Sequence, residues 1–143
     1  MENISIRHLG DLKLMYVQAS SFPDGIQDAW DKLEKTLDTM KGRKFYGTSH
    51  YENGKMIYRA CVIPVDDAEV LKLGLKTFTV PPGEYAAAKL MNWSSQIQKI
   101  REIFTELNNN YSANPDLPNI EFYKSSKELI LMLPILDTPQ TKS

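Results

Sequence analysis

Apolar residues recur along the chain with two periods. From Leu12 to Ala19, Leu12, Leu14 and Tyr16 alternate with Lys13, Met15 and Val17, which predicts a strand with apolar side chains on both faces except at Lys13. "SFPDG" follows as a turn, with a helix start near Asp24. Ile26, Ala29, Trp30, Leu33 and Leu37 then fall at spacings of three and four, the mark of a helix with one buried face, and Trp30 is expected on that face. "KGRK" ends it. Asn53-Gly54 predicts a tight hairpin between strands over roughly 45–52 and 56–64, closed by Pro64.

The order then repeats. "LKTFTVPPGEYAAAKL" places a strand on each side of "PPG". Ile97, Ile100, Phe104 and Leu107 mark a second amphipathic helix, with Asn92 or Ser94 as its cap. A polar loop, "NNNYSANPDLPN", leads to the strands "IEFYKS" and "ELILMLPI". Each half reads strand–helix–strand–strand, and neither half covers both its sheet and its helix. The expectation is an α+β fold of two βαββ units related by a pseudo-two-fold axis. Two helices pack on one face of an antiparallel sheet, and a cleft lies on the other. The domain spans 1–136, and 137–143 forms a loose tail.

Composition narrows the function classes. The 143 residues are 42% hydrophobic and 24% charged, with a formal net charge of -1. That balance excludes a broad phosphate-binding surface, so no direct nucleic-acid partner is expected. Cys61 is the sole cysteine, which rules out an internal disulfide. No apolar run reaches the length of a membrane span, and "MENISIRHL" lacks the pattern of a signal peptide, so the cytoplasm is the expected compartment. His8 and His50 stand far apart with no ligand motif around them, and no phosphate-binding glycine loop occurs. No metal and no cofactor are expected.

The informative residue is Glu121, a carboxylate inside "PNIEFYKSS". Alternation sets Glu121 and Tyr123 on one strand face and Ile120 and Phe122 on the other. If the helices cover Ile120 and Phe122, the carboxylate faces away from that core. It is then either a solvated residue on an open sheet or the floor of an aromatic pocket. In a pocket it would attract a cation, with aromatic rings adding apolar and cation–π contact.

"AWDKLEKTL", "YRACVIPV", "FTVPPGEYAAAKL", "NIEFYKSS" and "ELILMLPI", in that order over about residues 3–136, resemble the GyrI-like small-molecule-binding superfamily. This is the effector-binding domain of AraC-type and drug-responsive bacterial regulators. The resemblance implies a ligand cleft between the halves, lined with aromatic residues, in which a glutamate draws in cationic, lipophilic compounds. It assigns Glu121 to that glutamate and Tyr123 to the tyrosine after it. Tyr58 answers to the aromatic of the "YR" motif, and Tyr85 to the one that follows the Pro82-Gly83 turn. Tyr51 and Trp93 are further candidates for the wall. "ASS" and "LMN" stand where relatives often carry a glycine, so the mouth is expected to differ in shape.

Two alternatives use other chemistry. Some relatives hydrolyse small electrophiles in the same cleft, with Glu121 as general base and Tyr123 positioning the leaving group. Gyrase-inhibiting relatives dock onto a protein partner instead. Because the resemblance covers nearly all of the 143 residues, no DNA-binding module is expected beside this domain.

Overall fold

The computed structural model describes residues 4–136. The tail expected at 137–143 lies outside them. Eight strands and three helices follow in order. They are β1 (Ile4–Leu9), β2 (Leu12–Gln18), α1 (Ile26–Thr36), β3 (Phe45–Glu52), β4 (Lys55–Val62), α2 (Asp67–Leu73), β5 (Lys76–Val80), β6 (Gly83–Met91), α3 (Gln98–Asn110), β7 (Asn119–Tyr123) and β8 (Glu128–Ile135). The hairpin turn has Asn53 and Gly54 at φ 52° and 78°, the left-handed pair that a two-residue connection requires. The sequence pattern missed β1 and α2. It also ran the second helix back to Asn92, where a short 3₁₀ turn at Trp93–Ser95 precedes α3.

All strands join one antiparallel sheet in the order β1-β6-β8-β7-β3-β4-β2-β5. The order is symmetric about the β7–β3 junction when β1, β6, β8 and β7 are matched with β5, β2, β4 and β3. Thr36 and Asn110 end α1 and α3, Phe45 and Asn119 open β3 and β7, and each pair has the same separation in sequence. The expected α+β duplication is present. The halves also exchange edge strands, since β1 pairs with β6 and β5 with β2.

Both faces of the sheet are buried, by different means. On one face, Ala29 and Leu33 of α1 pack on Met15, Ala60 and Val62. On the same face, Leu107 of α3 packs on Ala86, Ala88, Leu133 and Ile135. On the other, the sheet curls on itself. Leu14 and Val80 from one end meet Tyr85 and Ala87 from the other, over Tyr46, Cys61, Ile120, Ile130 and Met132. Among the described residues, no helix is long and apolar enough to cross a membrane.

Candidate functional site

Strand pairing fixes where Glu121 lies. Glu121 stands opposite Gly47 on one side and Leu131 on the other, and Tyr123 opposite Phe45. Gly47 in turn stands opposite Ala60, which packs under α1. Glu121 and Tyr123 therefore share the face that carries both helices. This corrects the expectation of a cleft on the bare face with Ile120 and Phe122 beneath the helices. Phe122 instead stacks on Tyr46 at 4.8 Å in the core made by the curled sheet. Alternation separates the two faces of a strand, but when both are buried it does not say which one the helices cover.

The carboxylate sits at the pseudo-two-fold axis, between the regions covered by α1 and α3. Tyr58 Oη donates to Glu121 Oε1 at 2.8 Å and Tyr123 Oη donates to the same oxygen at 2.7 Å. Trp30 Nε1 donates to Tyr58 Oη at 3.1 Å. Trp30 and Trp93 both stand edge-on to Tyr123, with centroids at 5.3 and 5.0 Å. Trp93 is anchored by its Nε1 donating to the Ser125 carbonyl at 3.1 Å. Phe45 adds an edge contact to Trp30, and Phe22 lies 6.4 Å from the Tyr58 ring. One half supplies Trp30 and Tyr58; the other supplies Glu121, Tyr123 and Trp93.

The electrostatics are unusual for a carboxylate. Among the described residues it has no ion-pair partner, and Oε2 accepts no hydrogen bond. Burial raises its pKa above the ordinary carboxylate value, although the Tyr123 and Tyr58 hydroxyls favour the charged form. Burial also pushes Tyr58 and Tyr123 well above the usual phenol value, and the adjacent carboxylate adds to this. The tyrosines therefore stay protonated as donors.

Gly47 makes this packing possible, and the sequence reading did not single it out. A Cβ there would fall inside contact distance of both Tyr58 Oη and Glu121 Oε1. Gly47 is also the counterpart of Glu121 across the axis. The repeat thus places a residue with no side chain where its partner half places a charge. Trp30 packs on the core under α1 as expected, and its indole edge also reaches the site.

Two predicted wall residues lie elsewhere. Tyr51 is 74% exposed near the far end of β3. Tyr85 is fully buried in the core of the curled face, with no partner for its hydroxyl among the described residues. Cys61, at the base of the same core, has its thiol pushed up to about 12 by burial, which removes it as a nucleophile. No group of three His, Cys, Asp or Glu among the described residues is placed to hold a metal ion.

No family model and no curated protein sequence matches the chain. Solved structures do. An integron cassette protein from the mobile metagenome of Vibrio cholerae is 16% identical, with 94% of this chain and 96% of that one covered, at a TM-score of 0.66. SAV2435 bound to tetraphenylphosphonium is 15% identical, with 93% of each chain covered, at 0.69. A hydrolase from Listeria innocua is 13% identical, with 92% of this chain and 90% of that one covered, at 0.55. At these identities the likeness establishes the fold.

Proposed function

We propose that the chain is a small-molecule-binding protein of the GyrI-like kind, taking lipophilic aromatic cations at Glu121. One observation carries the reading. The carboxylate is half-buried, held only by neutral hydroxyls and ringed by four aromatic side chains, Trp30, Tyr58, Trp93 and Tyr123. A charge held this way is costly until a cation arrives. In that low-dielectric setting the attraction is stronger than at a surface, and the rings add cation–π contact. A ligand with an apolar body also covers the aromatic edges. That SAV2435, with the same fold, is seen bound to tetraphenylphosphonium supports the choice of ligand class.

The test is a titration of tetraphenylphosphonium into the wild type and Glu121→Gln. Glutamine keeps the shape and removes the charge, so affinity is expected to fall about tenfold or more. Equal affinity would overturn the role of Glu121. Hydrolysis of a small electrophile is the second reading, favoured by the raised pKa of a carboxylate beside two tyrosine hydroxyls. Its test is product formation from electrophilic esters and epoxides. Turnover by the wild type that is lost in Glu121→Gln would establish it, and no turnover would remove it.

A further inference from the structure

The curled face carries a second feature, of opposite charge. Ser5 stands opposite Ala87 and Arg7 opposite Tyr85 across the β1–β6 pair. Ser5, Arg7, Ala87, Ala88 and Lys89 line a recess of about 330 Å³, a volume typical of small-ligand sites. The equivalent place in the other half is filled. Tyr16 stands opposite Cys61 as Ala87 stands opposite Met132, so the two correspond across the pseudo-two-fold axis. The Arg59 guanidinium lies 4.4 Å over the Tyr16 ring and 4.6 Å over Phe78. Where one half packs tyrosine against arginine, the other has alanine and leaves space.

The recess is also short of negative charge. Arg7 Nε donates to Ser5 Oγ at 3.4 Å, which leaves the terminal nitrogens of the fork free, and Arg7 has no ion-pair partner among the described residues. Lys89 lies 3.4 Å from Glu128, but Lys124 approaches the same carboxylate oxygen at 3.7 Å. Glu128 is thus shared between two lysines and offsets Lys89 only in part.

We infer that this recess is a second binding site, for a small organic molecule bearing an oxyanion, either phosphate or carboxylate. The Arg7 fork matches two oxygens of such a group, and a guanidinium does this better than an ammonium. Ser5 offers its hydroxyl, Lys89 offsets the remaining charge, and the small Ala87 side chain leaves room for the apolar body. The site is separate from Glu121, on the other face of the sheet and with the opposite preference for charge.

The experiment titrates phenyl phosphate, benzoate and inorganic phosphate into the full chain at low salt, followed by calorimetry. Saturable binding of an organic anion is expected, with the stronger of phenyl phosphate and benzoate identifying the oxyanion. Binding should weaken about tenfold in Arg7→Gln, recover in part in Arg7→Lys, and weaken severalfold in Lys89→Gln. It should be unchanged in Glu121→Gln, so failure here is distinct from failure of the cation site. Lys89 is about half exposed, so its variant folds and gives the readout even if an Arg7 variant does not. No saturable binding in the low millimolar range would overturn the inference. So would wild-type affinity in both Arg7→Gln and Lys89→Gln.

Discussion

Glu69 and Glu121 are both carboxylates drawn partly out of water, and the fold treats them in opposite ways. Glu69, on α2, is gripped by the Arg43 fork through both oxygens, and the Val65 N–H donates to it at 3.0 Å. The side chains of Arg43 and Glu69 are only 5% and 11% exposed. The hydrogen bond from Arg43 leads in holding the Glu69 pKa below the ordinary value. Glu121 has tyrosine hydroxyls in place of a guanidinium, and burial raises its pKa. The first carboxylate has its cation built in. The second has neutral hydroxyls and aromatic rings around it instead, and the proposed cation site rests on that difference.

The comparison breaks most visibly in stability. Arg43→Ala leaves Glu69 buried without its partner and should cost about 3 kcal/mol in chemical unfolding. Glu121→Gln removes a charge that has no cation, so it should leave stability unchanged or raised near neutral pH. A loss as large as that of Arg43→Ala would mean that Glu121 is paired structurally after all. Gly47→Ala comes next. Its methyl would push against Tyr58 Oη and Glu121 Oε1, at an expected cost of about 1–3 kcal/mol, with cation binding lost as well.

Dependence on pH sharpens the same contrast. The folded pKa of Glu121 is raised, so the folded state binds protons more readily and its penalty is relieved as pH falls. Any stability advantage of Glu121→Gln over the wild type should therefore shrink on acidification. The folded pKa of Glu69 is lowered, so its contribution is present above the unfolded value and is lost as pH falls through the folded one. The advantage of the wild type over Glu69→Gln should also shrink with acid, from the opposite sign. Unfolding midpoints measured from pH 7 to pH 3 check both. The smallest effect is expected at Tyr51, where Tyr51→Ala should change stability and cation affinity little, because the ring is 74% exposed and away from the site.

Only the Glu121 side of this contrast is legible in the sequence, and that unevenly; the Arg43–Glu69 pair joins a loop to a helix that no local pattern links. The hairpin at Asn53-Gly54 was legible because its chemistry is local. The shared face of Glu121 and Tyr123 followed from strand alternation. The side on which that face lies did not, because a sheet that curls on itself needs apolar residues such as Ile120 and Phe122 on the face away from the helices. Tyr85 shows the same limit, since a tyrosine on a strand reads alike whether it faces a ligand or a core. The helical spacing of Trp30 points to a core, and only the tertiary packing brings its Nε1 to Tyr58. Gly47 carries no pattern of its own. Its role appears only when β3 is paired with β7 and the opposite residue is seen to be Glu121. β1 was missed because it adds to the edge of the other half, a long-range pairing that no local period reports.

The central claim is that Glu121 is an unpaired charge that binds a cation in its ionised form. The most direct measurement is the affinity for tetraphenylphosphonium as a function of pH in the wild type and in Glu121→Gln. In the wild type, affinity should fall as pH drops through the raised pKa of Glu121, by up to about tenfold per pH unit below it, with a proton released on binding. Glu121→Gln should bind weakly with a flat profile. Parallel profiles in the two proteins would contradict the account.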